Sequence, residues 1–409
     1  MDARAGNREF FLHGAAIVTT DGVSRTPLPI RDGHIAPSSA TGAWPLDLRD
    51  HLVFSGLINA HDHLHVNAVP PLRGGAPFAD SYEWIAAFQA HLDSLEVKDA
   101  LRVPKAVRLR HGALKNLLAG TTFVAHHDPW HPALDEAGFP VALLRHFGWS
   151  YTLAGPAYGP PVRESFAATP SDRPWMIHLA EGTNAIAQAE LSRLERLGCL
   201  ASNSVLIHGV GLTGPDVERV IDVGASVVWC PRSNLELLGS TLDPMRLCEA
   251  GRLALGTDSR LSGARDLLDE LRGVLHRYGL NARQLLGLVT SSAARMLREP
   301  ARGHLGVGAH ADLVVVRDDV GDPVRNLVGI ERSGIRAVVR DGAPRVADPD
   351  FAEWFERAGI ETVPVQLDGR PKLLAKSLAD AATIALEPGL ELISHPARRV
   401  ESGALVEAC

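Results

Sequence analysis

The apolar positions of this chain follow two rhythms. Over the first fifty residues, short apolar stretches alternate with turn signals. Residues 10–18 and 29–35 read as strands, broken by Asp21-Gly22 and Asp32-Gly33. No helical period appears there, so a small β module is expected. From about Leu52 to Leu305, short apolar runs alternate with helix-length amphipathic segments. The expected strands are 53–60, 121–125, 141–147, 151–154, 175–179, 205–209, 226–230 and 253–256. Residues 100–119, 185–196, 214–223 and 264–278 read as helices between them, and 155–174 has room for a short helix alone.

Strands alternating with helices imply βαβ units and a parallel sheet. Eight such strands in about 250 residues fit the size of a closed (β/α)8 barrel. Beyond Leu305 strand text returns at 312–316 and 335–339, with Asp341-Gly342 as a turn, and resembles the N-terminal module in character. The expected organisation is an α/β chain in three parts. Residues 1–50 and 305–370 form a composite β-sandwich, 51–304 a barrel, and the Ala- and Leu-rich 371–409 a helical tail.

Composition narrows the class. With 45% hydrophobic and 22% charged residues over 409 positions, disordered and fibrous classes are excluded. A formal net charge of −7 argues against a general nucleic-acid binder. No apolar stretch approaches the roughly 18 residues of a membrane span, and the first residues lack the apolar core of a secretory signal. The cysteines (Cys199, Cys230, Cys248, Cys409) are scattered and form no CxxC pair. A disulfide framework and a thiolate zinc site are therefore not expected, and a reducing cytoplasm is.

The chemistry concentrates where apolar runs end. His61-Asp62-His63 closes the run 56–60, and in a strand positions i and i+2 share a side, so both histidines can face a barrel axis while Asp62 faces away. His178, His208 and Asp258 each close a later run. About one strand-loop-helix unit separates the first two, and about two units separate His208 from Asp258. Nitrogen and oxygen ligands at successive strand ends suit one metal, which lowers the pKa of water from about 15.7 towards about 7. Glu181 lies three residues past His178, so it can stand beside the metal without binding it and move a proton from water to a ring nitrogen. His208 suits a developing tetrahedral oxygen, and Asp258 a second proton acceptor. Blander readings exist for each: a helix-start carboxylate, a core histidine and an N-cap.

Five blocks carry a resemblance: Gly56-Leu-Ile-Asn-Ala-His-Asp-His63, Ile177-His-Leu-Ala-Glu181, Leu206-Ile-His-Gly209, Cys230-Pro-Arg-Ser-Asn234 and Leu255-Gly-Thr-Asp-Ser259. In this order they resemble the amidohydrolase superfamily, and most of all its mononuclear deaminase and chlorohydrolase-like branch, which includes guanine, cytosine and S-adenosylhomocysteine deaminases. The similarity runs from about Phe10 to Val339. It implies a distorted (β/α)8 TIM barrel plus a composite β-sandwich from both chain ends. It also implies one Zn2+ or Fe2+ held by His61, His63, His178 and Asp258, with Glu181 as proton shuttle and His208 at the reacting oxygen. Dinuclear members of the superfamily use a carboxylated lysine. This chain has no lysine between Lys115 and Lys372, which favours a single metal.

The expected function is an aminohydrolase that deaminates a purine-, pyrimidine-, pterin- or triazine-like heterocycle and releases ammonia. Its expected partners are a small-molecule substrate and a second copy in a homodimer. The alternatives are hydrolysis of an amide or carbon–halogen bond at the same site, and a metal-binding barrel without catalysis, against which Glu181 and His208 argue. Substrate contacts are expected from His126, His127, Trp130, Arg232 and Asn234. Trp84 is a further wall candidate, Arg232 reads equally as a structural ion pair, and His65 and Asn67 read as loop residues. The segment between the fourth and fifth strands is short for the superfamily, so substrate identity does not transfer.

Overall fold

The protein was analysed as a computed structural model that describes residues 9–71, 77–154, 158–319 and 321–393. Two parallel sheets carry the site. β1 (Leu57–Asp62), β2 (Thr121–His126) and β3 (Ala142–Leu143) form one, in the order β3-β2-β1. β4 (Gly148–Trp149), β5 (Trp175–Leu179), β6 (Ser204–His208), β7 (Ser226–Trp229) and β8 (Leu253–Leu255) form the other, in sequence order. Every residue of β1, β2, β5, β6, β7 and β8 is buried, which explains why these strands read as continuous apolar runs rather than alternating ones.

The two sheets meet at one edge. A parallel bridge pairs Asp62 with Asp258. The amides of Thr257 and Asp258 both donate to the His61 carbonyl at 3.1 Å, and the His63 amide donates to the Asp258 carbonyl at 2.8 Å. Residues far apart in sequence are thereby fixed side by side. No ladder joins β3 to β4 among the described residues.

The helices follow local signals. Residues Gly214–Val223 form a helix between a Thr213/Asp216 capping box and the left-handed Gly224. The expected helix 100–119 is two helices instead: after α1 (Ser81–His91) come α2 (Leu95–Arg102) and α3 (Lys105–Leu118). Pro104 separates α2 from α3, because the residue before a proline is driven out of the helical region and Val103 is extended.

Three further expectations are corrected. The run 53–60 is not one strand. It divides at Gly56 into His51–Ser55, which pairs antiparallel with Leu313–Arg317, and β1, which enters the parallel sheet. A Cβ at Gly56 would lie 2.2 Å from Thr122 Oγ1, so only glycine fits that crossing. Both halves are buried, and hydrophobicity alone cannot reveal that the chain changes sheets.

The strand expected at 151–154 is absent, and the fourth position belongs to Gly148–Trp149. The Tyr151 carbonyl instead accepts from the His178 backbone amide and from His178 Nδ1.

The segment from 371 is not a helical tail. Arg370–Ala375 and Leu390–Leu392 join a nine-stranded sheet, with the 3-10 turn Lys376–Leu378 and the short helix Ala381–Ala385 between them. Lys372 is buried there, its Nζ donating to Ile335 O at 2.6 Å and to Asp348. The remainder of the expected tail, 394–409, lies outside the described residues.

That sheet also contains Ala16–Val18, His51–Ser55, Leu313–Arg317 and Ala337–Arg340, so strands from both ends of the chain share it. A separate four-stranded sheet includes Phe10–His13 and Leu28–Arg31. No described helix is long and apolar enough to cross a membrane.

Candidate metal centre

Three strand ends place residues in backbone conformations that L-residues seldom adopt. Ala180 after β5 has φ 52°, His208 at the end of β6 has φ 75°, and Asp258 after β8 has φ 60°. Such left-handed positions cost about 1–3 kcal/mol each and persist where surrounding contacts over-determine them. Here the holders are visible. Glu190 Oε2 accepts the Ala180 amide at 2.6 Å, and the Gly211 amide donates to the Ala180 carbonyl at 2.7 Å.

The side chains converge on one point. His178 Nε2 lies 3.3 Å from His61 Nε2 and 3.3 Å from His63 Nε2. Asp258 Oδ1 lies 3.6 Å from His61 Nε2 and 3.5 Å from His63 Nε2. A tetrahedral ion with bonds of about 2.0–2.1 Å requires donor–donor edges of about 3.3–3.4 Å. Four of the six donor–donor separations, 3.3, 3.3, 3.5 and 3.6 Å, are near that spacing, so the donor set is compatible with one divalent cation.

Three of the four donors, His63, His178 and Asp258, are aimed by a partner on the far side. His178 Nδ1–H donates to Tyr151 O at 2.9 Å, and His63 Nδ1–H donates to Asp128 Oδ2 at 2.7 Å, which leaves both Nε2 lone pairs inward. Asp258 Oδ2 accepts from Ser233 Oγ at 2.7 Å and Ser262 Oγ at 2.5 Å, so Oδ1 is the free oxygen. Asp62 points away from the donors, as strand alternation requires. It accepts from Lys115 Nζ at 2.9 Å, Asn116 at 2.8 Å and Asn67 at 2.9 Å. Lys115 is thus a buried counter-charge behind the site rather than a ligand.

The protonation tendencies of His61, His178 and Asp258 suit a cation. Burial pushes His61 down to about 4 and His178 well below its ordinary value, so both favour the neutral, ligating form. Burial also pulls His63 down, but the Asp128 carboxylate overrides it and raises the imidazole to about 9. That pull makes His63 the more basic donor. Asp258 is pushed up by burial, but the surrounding histidines hold it well below the carboxylate range.

Two groups stand beside the donors. Glu181 Oε1 lies 3.4 Å from His208 Nε2. Burial raises the Glu181 carboxyl above its ordinary value, with Asp258 adding to the rise. His208 Nδ1–H donates to Asn234 Oδ1 at 2.7 Å, and Asn234 Nδ2 is fixed on Thr241 Oγ1 at 3.0 Å. His208 Nε2 is therefore the atom turned towards the donor set.

A cavity of 390 Å³ opens over His63, His178, Glu181, His208 and Asp258. Its apolar wall comes from α1 (Trp84, Ile85, Phe88) with Leu237 and Leu261, faced by Tyr151 and Tyr158. Trp84 and Phe88 stack at 5.5 Å. The N-terminus of α1 is docked on the Glu181 turn, the Ser81 amide donating to the Glu181 carbonyl at 2.9 Å.

The expected substrate contacts are largely corrected. Trp130 is exposed, donates to Asp135 at 2.8 Å and lies under the Arg145 guanidinium, away from the cavity. Arg232 points outward to Glu236 at 2.9 Å, the i,i+4 ion pair that its helix makes available. Asn234 holds His208 rather than lining the cavity. His126 faces the backbone of Asp62 and Leu64, and His127 is buried against the rings of His178 and His61 with Nε2 on Ser150 O. Trp84 and His65 do line the cavity, and Asn67 ties Asp62 to the loop after β8. Asp128, Ser233, Ser262 and Glu190 escaped the sequence reading. Asp128 had a signal, a carboxylate directly after two histidines at a strand end.

The likeness to known proteins agrees with this geometry. Over 383 residues the chain is 28% identical to a 5-methylthioadenosine/S-adenosylhomocysteine deaminase of Halobacterium salinarum, covering 78% of this chain and 86% of that protein. Among solved structures, an adenosine deaminase of Xanthomonas campestris with bound zinc superposes with a TM-score of 0.66 at 21% identity, covering 86% of this chain and 97% of that one. An atrazine chlorohydrolase of Arthrobacter aurescens, in complex with zinc and atraton, gives 0.68 at 19% identity, over 86% and 99%. These two structures share the fold. The sequence model of the amidohydrolase family matches residues 136–344, just over half of the chain, and the protein belongs to that family.

Proposed function

We propose that this hydrolase is a mononuclear aminohydrolase that deaminates a nitrogen heterocycle. The observation that carries the reading is the convergence of four donor atoms, with His178 and Asp258 each 3.3–3.6 Å from His61 and His63, and a buried carboxyl, Glu181, beside them. A divalent ion held by His61, His63, His178 and Asp258, with zinc proposed, supplies Lewis acidity and lowers the pKa of water towards about 7.

The residues of the chain do the rest. Glu181 takes a proton from the attacking water and delivers it to the ring nitrogen beside the amidine-like carbon, a task suited to a carboxyl whose affinity for protons is raised. His208 Nε2, fixed by Asn234, aligns the attacking oxygen and then contacts it in the tetrahedral intermediate. Asp258 Oδ1 accepts the second water proton and passes it to departing ammonia. Trp84, Phe88 and Tyr151 enclose a flat ring and keep bulk water out.

The similarity to a named deaminase supports carbon–nitrogen cleavage. We also propose that β1 to β8 close as a distorted (β/α)8 barrel, carried by a composite β-sandwich from both chain ends. The β1–β8 bridge and the shared nine-stranded sheet support this arrangement, as do the two fold neighbours.

The test is ammonia release from a panel of purines, their nucleosides, pyrimidines, pterins and triazines, with the zinc-loaded protein. Ammonia from one ring class is the expected result. Chloride or an amine product without ammonia would overturn deamination.

A further inference from the structure

Glu387 lies in the chain's last described turn, far from the donor set in sequence, yet is 2% exposed and surrounded by cations. Its carboxylate takes a bidentate fork from Arg260, Nη2 to Oε1 at 2.7 Å and Nη1 to Oε2 at 2.8 Å. It also accepts from Arg332 and from His111 Nε2 on α3, the latter at 2.8 Å. Arg332 in turn chelates Asp368 and donates to Pro388 O. These contacts hold the Glu387 carboxyl far below its ordinary range although burial alone would raise it.

Arg260 stands two residues after Asp258, in the loop that also supplies Ser262 to Asp258 and Leu261 to the cavity wall. The Arg260 amide donates to Asn67 Oδ1 at 3.1 Å, Asn67 Nδ2 donates to Asp62 at 2.9 Å, and Arg260 Nε donates to Arg265 O at 3.0 Å. The Arg260 guanidinium thereby anchors the turn to Glu387, while its amide ties it to Asn67. Asp258 itself is in a left-handed conformation that needs such over-determination.

We infer that Glu387 is a positioning residue for the metal centre, acting through Arg260 on the loop that orients Asp258. The C-terminal segment thereby sets metal affinity. The inference rests on the metal reading above, and its readout needs no substrate.

The experiment measures zinc affinity by chelator competition, together with the melting temperature of the metal-free protein. The variants are Glu387→Gln, Arg260→Met and their combination. Asp348→Asn serves as a comparator, because it breaks a different partly buried ion cluster, with Arg336 and Lys372, away from the site. Loss of a group that orients a ligand weakens metal binding by about 10–100-fold. Each single variant is expected to raise the zinc Kd about tenfold, and the double variant no more than either. Asp348→Asn should lower the melting temperature with the Kd unchanged. A Kd within twofold of the parent in both singles overturns the inference, whatever happens to melting. If Glu387→Gln does not fold, Arg260→Met decides alone, since Glu387 then keeps Arg332 and His111. A parent that binds no zinc removes the metal reading itself, and this inference with it.

Discussion

His63 and Asp128 form the most consequential pair in the site: Nδ1–H donates to Oδ2 at 2.7 Å, and the same ring turns Nε2 to the donor cluster. The carboxylate thus selects the tautomer, fixes the ring plane and enriches the donor nitrogen. Tyr158 secures the other oxygen of Asp128 at 2.8 Å.

Asp128→Asn keeps the shape but removes the charge that raises His63. Zinc affinity is expected to fall about 10-fold or more, measured by chelator competition. An unchanged Kd would show that the pair is only structural.

Glu181 is placed beside the donors and not among them. Glu181→Gln should retain one equivalent of metal while turnover on the responsive substrate drops by about two to four orders of magnitude. Metal analysis and kcat together decide it, and a variant with parental kcat takes Glu181 out of the mechanism.

The cavity assignment reverses two sequence expectations and can be checked against them. Arg232→Ala and Trp130→Ala touch surface pairs, so kcat/KM should stay within about twofold of the parent, because exposed pairs contribute little. Trp84→Ala removes part of the wall and should raise KM by about tenfold. The opposite ranking would move the substrate site to the other rim.

Glu270 gives a pH signature. Burial raises its carboxyl to about 8, and Oε1 accepts the Arg232 amide at 2.7 Å while Oε2 has no partner. Below the ordinary value of 4.5 the folded and unfolded states are both protonated, and the group costs nothing. Between 4.5 and about 8 the unfolded chain ionises first, so stability declines as pH rises and levels off above about 8. Glu270→Gln lacks this decline. It should melt at least roughly 2 °C above the parent at pH 8, with a smaller gap at pH 5, by calorimetry. Equal gaps at both pH values would exclude ionisation as the cause.

How much was legible beforehand follows from the range of each interaction. His61, His63, His178, His208 and Asp258 announced themselves because a buried parallel strand is a continuous apolar run and its functional residue closes it. The helix Gly214–Val223 was readable for an equally local reason, its capping box and terminal glycine.

The supporting roles were not readable, apart from the position of Asp128 directly after two histidines at a strand end. Asp128, Asn234, Ser233, Ser262 and Glu387 act through side-chain directions and long-range contacts, and sequence spacing carries no information about where a loop side chain points. Arg232 shows the limit: it sits in a recognisable block beside the site, yet helix geometry sends it to Glu236.

By itself the sequence determined the alternating strand–helix class and the order of the candidate metal donors, because hydrophobic burial and strand ends are one-dimensional patterns. Only the tertiary structure decided that His51–Ser55 and Leu57–Asp62 part at Gly56 into different sheets, that the chain's last described segment enters a β-sheet, and which side chains hold the donors in place. Those outcomes depend on free energy shared between distant segments, and no window of the sequence contains both partners.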